Sequence, residues 1–387
     1  MAAFTSRLSN EEVEMQTAFD VAIVGAGIVG LAHAFAAVRR GKRVLVIDRD
    51  AQANGASIRN FGFITVTGQQ AGECWRRARL SRDVWAEVAP QAGIDIIHNG
   101  LMVPVRRDEA VAILEAFVRT EMGAACEMLT PQAAKARVPH LNSSLKAALW
   151  SPHELRVESR TAIPKLAAWL EAAHGVSIVR GALVREIAYP KVMTTSGAYQ
   201  AEAVIVCPGD DFLSLYPERI AAYQPTKCLL HMLRVDPGAG VRLGAAAMSD
   251  LGLIRYLGYA ELPEAAALKR VLQEEQPGAL ANGVHLIVVQ SADGSLVVGD
   301  SHHYADTPPP FAPQAVDQTI LDEFRAVLDL PEARVTERWT GVYSSCSDRL
   351  MFLDAPEPGV RIVMVTSGTG ASTAFAIAEE VIGDIYG

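Results

Sequence analysis

A glycine turn between two buried strands constrains this chain more than any other feature. Val21-Ala22-Ile23-Val24 is an apolar run, Gly25-Ala26-Gly27-Ile28-Val29-Gly30 is a GxGxxG turn, and Leu31 to Arg40 continues as an alanine-rich helix. Val44-Leu45-Val46-Ile47 then forms a second strand that ends at Asp48. Each glycine has a separate mechanical task. Gly25 permits the tight turn, Gly27 lets the backbone approach a pyrophosphate, and Gly30 lets helix and strand pack closely. The pyrophosphate sits on the helix N-terminus, where free N–H groups and the helix dipole favour negative charge. Asp48 follows at the distance of roughly 20 residues expected of the acid that hydrogen-bonds a ribose hydroxyl. The unit therefore predicts a strand-helix-strand fold that holds a dinucleotide.

The rest of the chain is large enough for two domains, since roughly 100–200 residues is the usual size. A net charge of −9 without a long basic run argues against nucleic acid or an anionic membrane surface as partner. Met1 to Thr17 is polar, carries Glu11, Glu12 and Glu14, and lacks the basic start and apolar core of a signal peptide, so a cytoplasmic chain is expected. No apolar run approaches the roughly 18 residues of a membrane span. The five cysteines, Cys74, Cys126, Cys207, Cys228 and Cys346, lack CxxC spacing, which fits reduced thiols better than zinc or a disulfide framework.

Beyond Asp48, Asn54 to Gly62 is a polar, glycine-rich loop. Helical patterns run from Gly72 to Ala89 and from Asp108 to Met122. Short strands are expected at Ser177–Arg180, Leu183–Ile187 and Ala203–Val206, the last closing on Cys207-Pro208-Gly209. Lys227–Val235, Leu253–Tyr259, His285–Gln290 and Ser295–Ser301 read as antiparallel strands, with Asp293-Gly294 as a hairpin turn. His153, Glu154, Arg156 and Glu158 read as a solvated approach to a helix. The chain ends with a strand, Arg361–Val365, a glycine turn at Thr366–Gly370, and a helix from Ala371 to Tyr386.

Four parts in this order resemble the FAD-dependent amine and amino-acid oxidases related to glycine oxidase, sarcosine oxidase and D-amino-acid oxidase. They are the leading GxGxxG, the Ser/Arg/Asn/Gly loop after the second strand, the middle strand ending in a small residue and glycine, and the terminal glycine turn before a helix. The resemblance covers the chain from Phe19 onward. It implies an α/β fold with a discontinuous Rossmann-like FAD-binding domain (19–90, 150–215 and 336–387). A second, α+β substrate domain (91–149 and 216–335) is implied on an antiparallel sheet.

In this resemblance, Gly25, Gly27 and Gly30 would hold the FAD pyrophosphate and Asp48 the adenosine ribose, with Ala26, Ile28 and Arg49 also among the cofactor-binding residues. Ser57, Arg59 and Asn60 fall on the loop beneath the flavin ring, and Val184 on the adenine side. Cys207 and Gly209 lie at the strand end near the cofactor, and Gly368, Thr369 and Gly370 at the pyrimidine edge. The terminal helix would aim its dipole at the flavin, favouring the negative charge that reduced flavin develops.

Two departures bear on the substrate. Glycine oxidase relatives carry a Trp-Ala-Gly-Leu-Arg segment whose Arg pairs with the substrate carboxylate; here the stretch is Trp339-Thr340-Gly341-Val342-Tyr343. Tyr cannot replace the charge of a bidentate Arg. The Lys that promotes reaction with oxygen in the sarcosine oxidase branch aligns with Val297. Ser57 to Gly62, Gly299 to His302 and Ser367 to Thr373 are similar to flavoproteins associated with bacterial phosphonate breakdown, which act on 2-aminoethylphosphonate or its N-methyl derivative. The implied reaction oxidises a C–N bond of a small zwitterionic amine, giving phosphonoacetaldehyde, an amine and hydrogen peroxide, with oxygen or another acceptor taking the electrons.

Oxidation of an amine by flavin needs a neutral amine positioned by its surroundings, and no acid or base is obligatory. The candidate positioning groups are Arg59, Arg255, His285, Gln290, His302 and Tyr343. Arg255 stands out as a charge within Leu253-Ile254-Arg255-Tyr256-Leu257, where it needs a partner, either a substrate anion or a structural carboxylate. A metal site is not expected, because His302 and His303 are adjacent and no spaced Cys or carboxylate set accompanies them. Three other readings remain: a glycine or sarcosine type oxidase, an NAD-dependent dehydrogenase using the same first motif, and a flavin-binding protein without turnover.

Overall fold

The computed structural model describes residues 19–387, and the polar segment Met1–Thr17 lies outside the described residues. Two sheets organise the chain. In the first, the strand Phe19–Val24 lies between Val44–Ile47 and Ala198–Val206, parallel to both. Ser177–Val179 and Val360–Val365 extend this parallel core on its two sides, and Met351–Asp354 closes one edge antiparallel. At its centre Val21–Ile23, Val44–Ile47 and Ala203–Val206 are fully buried and read as continuous apolar runs, as parallel strands covered by helices do.

The helix Ile28–Val38 packs on this sheet beside the terminal helix Gly370–Tyr386, which in turn contacts the helix Glu73–Gln91. Aromatic side chains lock the three together. Phe375 lies edge-on to Trp85 at 5.3 Å and to Phe35 at 5.9 Å, and the Trp85 indole N–H donates to the carbonyl of Ala371. Burying one such ring is worth about 1.5–3 kcal/mol, so the two ends of the chain are held as one unit.

Among the described residues the second sheet has ten strands and is built around the long antiparallel pair Thr226–Asp236 and Arg334–Ser345. Its other half pairs Ile96–Val105 with Ala147–Val157, to which Phe63–Ile64 also joins. Sheet membership divides the chain differently from the sequence boundaries: residues 150–157 and 336–345, expected with the FAD-binding segments, pair in the second sheet.

Two local expectations are corrected. Leu253–Tyr259 is not a strand; a 3-10 turn, Asp250–Ile254, and a short helix, Leu257–Ala260, occupy it. The turn is fixed by Asp250, a buried carboxylate bonded to the Arg106 backbone N–H and the Arg107 guanidinium. Gly258 sits so close to the Gln69 carbonyl that a Cβ would lie 2.4 Å from it. A short apolar run carries no period that separates strand from helix, so these tertiary contacts decide.

The segment His153–Glu158 is not a solvated approach, because Glu154 and Arg156 are fully buried in the strand Ala147–Val157. Glu154 accepts from the Thr67 backbone N–H at 2.7 Å, and Arg156 donates to Glu158 at 3.1 Å. Buried charges persist where they are partnered.

Candidate active site

The glycine turn has the geometry its sequence requires. Gly25 has φ +104°, and a Cβ on Gly30 would stand 1.9 Å from the Gly25 carbonyl oxygen. Asp48 accepts from the Ala26 N–H at 2.6 Å and from the Asp50 N–H at 2.8 Å, so its carboxylate clamps the turn from the end of the second strand. Ser57 reaches across to accept from the Ile28 N–H at 2.9 Å, at the first turn of the helix.

A cavity of about 650 Å³ opens from this turn and runs between the two sheets, within the usual range of cofactor and ligand sites. Two helix N-termini, those of Ile28–Val38 and Gly370–Tyr386, enter it. In neither does the N-cap residue, Gly27 or Thr369, supply a side-chain cap, and neither first turn holds an acidic residue; among side chains Ser57 alone accepts from one of their N–H groups, so two positive poles face one space. These poles, with the close approach that Gly27 permits, fit a pyrophosphate-bearing cofactor.

Several expected cofactor residues line the cavity: Ser57, Arg59 and Asn60 on one wall, Cys207 and Gly209 at the middle strand end, and Gly368 to Gly370 opposite. Asn60 ties down its own loop, donating to the Ala56 carbonyl at 2.7 Å and accepting from the Gly62 N–H at 2.6 Å. Arg59 turns outward to Asn54, while its carbonyl accepts from the Trp339 indole N–H at 3.1 Å. Arg49 pairs with Asp211 at 2.7 Å, and Val184 is packed in the apolar layer under the first sheet; both lie outside the lining.

At the far end, Arg255, Tyr256, His285, Asp300, His302 and Tyr343 converge on the same cavity, with Tyr304 beside them. The Arg255 guanidinium donates to the Tyr304 hydroxyl at 3.0 Å, and among the described residues no carboxylate lies within ion-pair distance of it. It remains a full cation: burial works against its charge, but the phenols of Tyr343 and Tyr304 and the Asp300 carboxyl outweigh that. Burial keeps the Tyr343 phenol protonated.

His285 and Asp300 exchange backbone hydrogen bonds across a hairpin, which puts both side chains on one face. His285 Nδ1 and Asp300 Oδ1 are 3.3 Å apart, and His302 Nε2 and Asp300 Oδ2 are 3.6 Å apart. Burial pushes the Asp300 carboxyl up to about 8, against the pull of Arg255. Burial and Arg255 together keep both histidines neutral.

Gln290 does not belong to this constellation. Its side chain donates to the Val241 and Gly294 carbonyls and accepts from the Leu243 N–H. It ends the strand Ile287–Gln290, in which Ile287, like His285 two residues before it, faces the cavity. Period-two alternation sends position 290 to the other side, a signal present in the sequence.

Asp300, Tyr256 and Tyr304 were not among the residues singled out from sequence. The expectation that no histidine and carboxylate set exists is also corrected. The donor atoms of His285, Asp300 and His302 lie within 4.8 Å of one another, because a hairpin brings together residues separated in sequence.

A two-sheet fold with a glycine turn and two helix N-termini facing one cavity marks a flavin-dependent oxidoreductase. The chain belongs to the FAD dependent oxidoreductase family, which it matches over residues 20–383, and its cofactor is FAD. It is 25% identical over 368 residues to the bifunctional protein ThiO/ThiG of Synechocystis, covering 88% of this chain and 47% of that protein. The chain thus spans about half the length of the curated relatives it matches.

Among solved structures it is similar to glycine oxidase from Geobacillus kaustophilus, with a TM-score of 0.74, 20% identity, and 95% and 94% of the two chains covered. It is also similar to L-proline dehydrogenase from P. horikoshii, with a TM-score of 0.76, 18% identity, and 95% and 93% covered. These likenesses concern the fold. No helix among the described residues is long and apolar enough to cross a membrane.

Proposed function

We propose that this protein oxidises the C–N bond of a small zwitterionic amine, with 2-aminoethylphosphonate or its N-methyl derivative as substrate. Oxygen or another acceptor would then take the electrons. Bound FAD supplies the two-electron acceptor for the substrate's α C–H. The observation that carries the reading is Arg255, a cation lining the cavity with phenols around it and no carboxylate partner among the described residues. A half-buried charge without a carboxylate partner calls for a counter-ion, and a substrate anion supplies one.

A tetrahedral phosphonate presents three oxygens, which suits the dispersed donors Arg255, Tyr304 and Tyr343 better than a planar carboxylate that needs one fork. The amine end of the same molecule would lie toward His285, Asp300 and His302. The chain's part is to hold the anion, exclude water, and keep the amine oriented.

The second reading, a glycine or sarcosine type oxidase, is favoured by the same Arg255, which can also hold a carboxylate. Anaerobic mixing with a panel of 2-aminoethylphosphonate, its N-methyl derivative, glycine and sarcosine decides between them. Aminophosphonates are expected to bleach the oxidised flavin band at least tenfold faster than glycine or sarcosine. Bleaching by the amino acids alone would overturn the phosphonate reading.

A further inference from the structure

The hydrogen bond that holds His302 decides what can sit beside Asp300. His302 Nδ1 lies 2.9 Å from the Gly283 carbonyl, and a carbonyl only accepts, so Nδ1 carries the proton. In the neutral ring Nε2 is then a bare lone pair, and it faces Asp300 Oδ2 at 3.6 Å. On the other side, His285 Nδ1 and Asp300 Oδ1 lie 3.3 Å apart, both buried and without a hydrogen-bond partner. Two acceptors facing each other in a buried place repel unless a proton or a cation stands between them.

We propose that Asp300 receives the substrate ammonium and takes its proton, with His285 and His302 positioning the nitrogen. The inference rests on the zwitterionic amine reading and deepens it. In this step one N–H bond breaks and an O–H bond forms on Asp300. The N–H electron pair stays on nitrogen as the lone pair, so the amine becomes neutral and no electron leaves the substrate.

Charge favours an ammonium over a divalent metal ion, although the same three donors could hold a metal. Arg255 lines this end of the cavity and acts on Asp300, His285 and His302 alike. It repels a divalent ion more strongly than a single charge, whereas a zwitterion brings its own anion to Arg255. The groups facing Asp300 are Arg255 and Tyr256 from the helical turn, His285 and His302 from the hairpin, and Cys228 from the long strand. None but Arg255 is charged at neutral pH, and its direction is fixed across the range of the test.

The pair holds one proton in the free enzyme below about pH 8, where burial places the Asp300 carboxyl. An arriving ammonium displaces it to solvent; above that pH the carboxylate takes the substrate proton directly. The test uses the holoenzyme and a zwitterion that cannot be oxidised, 2-amino-2-methylpropylphosphonate, whose carbon bearing the amine has no hydrogen. Its carbon isostere, 2,2-dimethylpropylphosphonate, has the same anion without the amine. Calorimetry in buffers of different ionisation enthalpy reads proton release on the wild-type protein, so no variant is required.

At pH 7 the aminophosphonate is expected to release close to one proton more than its isostere, with the excess disappearing above pH 8. Asp300→Asn, checked for full FAD content, should lose at least tenfold of the amine preference. Its rate of flavin reduction should also lack the limb that rises through about pH 8. Equal proton release for the two ligands, or an Asp300→Asn protein that keeps its amine preference, overturns the proposal. So does a stoichiometric metal ion in the holoenzyme whose chelation abolishes binding. If neither phosphonate binds but 2-aminoisobutyrate and pivalate show the same difference, the phosphonate reading fails and the role of Asp300 stands.

Discussion

Gly27 and Gly30 lie three residues apart, but a methyl group should injure the protein differently at each. On Gly30 the Cβ would meet the Gly25 carbonyl oxygen at 1.9 Å, the Gly25 carbonyl carbon at 3.0 Å and Ile23 Cγ2 at 3.3 Å. Ordinary contacts lie at roughly 3.5–4.0 Å, so helix and turn must part by more than about 1 Å. Two of the three obstacles are backbone, which cannot rotate away, and overpacking of this kind costs about 3 kcal/mol. Unfolding entropy of about 2.1 cal/mol/K per residue over 387 residues gives ~0.8 kcal/mol/K, so Gly30→Ala should lower the apoprotein Tm by about 4 °C.

On Gly27 the Cβ meets only the Ser57 side chain, at 3.0 Å from Oγ, and φ is −76°. Rotating Ser57 away forfeits one hydrogen bond of about 1 kcal/mol, and removing a glycine from the unfolded chain returns ~0.4–1 kcal/mol. Gly27→Ala should therefore leave the apoprotein Tm within about 1 °C of wild type. Its methyl instead occupies the approach to the cofactor, and FAD affinity should fall about a hundredfold or more. Scanning calorimetry of the apoproteins and recovery of flavin fluorescence on titration read the two effects separately. Equal apoprotein Tm values for the two variants, or unchanged FAD affinity in Gly27→Ala, would refute the division of labour.

Arg255→Met should lower kcat/KM about 10- to 150-fold, because charge-assisted hydrogen bonds are worth about 1.5–3 kcal/mol; a wild-type value measured with the aminophosphonate removes Arg255 from anion binding. Tyr343→Phe should cost about fivefold, the worth of one neutral hydrogen bond of ~1 kcal/mol, seen in KM rather than in FAD content. His33 is fully buried, and desolvation lowers it to about 4 from 6.5, so the unfolded chain binds more protons between those values. Stability should accordingly fall by about 3 kcal/mol as pH drops from 6.5 to 4. Comparing Tm against pH for wild type and His33→Leu checks this, since the variant should lose that part of the slope.

The glycine turn and the terminal strand-turn-helix were legible in sequence because their constraint is local. A residue without Cβ is needed where backbones touch, whatever the rest of the chain does. Leu253–Tyr259 was not legible, since an apolar run next to Gly252 and Gly258 is compatible with a strand until Asp250 is seen clamped to Arg107. Glu154 and Arg156 read as surface charges because their partners, the Thr67 N–H and Glu158, declare themselves only when the strand is buried. Gln290 could have been set aside from sequence alone by counting parity from His285. Asp300 was not legible, since its role depends on a cross-hairpin neighbour and on a carbonyl, that of Gly283, which fixes the tautomer of His302.

The two charges of the proposed substrate meet parts of the chain that are built independently. Arg255 is delivered by the helical excursion that includes Asp250–Ala260, held from outside by Arg106 and Arg107. Asp300, His285 and His302 belong to the hairpin of the second sheet, whose register is fixed by backbone bonds. A change in the excursion can therefore move or replace the cation without disturbing the hairpin, whereas a change in the hairpin register would scatter all three proton-handling groups at once. Head-group preference and amine deprotonation are on this view separable: losing Arg255 should alter which anion is accepted while leaving the pH limb of Asp300 present but displaced. A neighbouring cation favours the carboxylate, and Arg255 depresses the Asp300 carboxyl in this way, so the limb in Arg255→Met should move to higher pH.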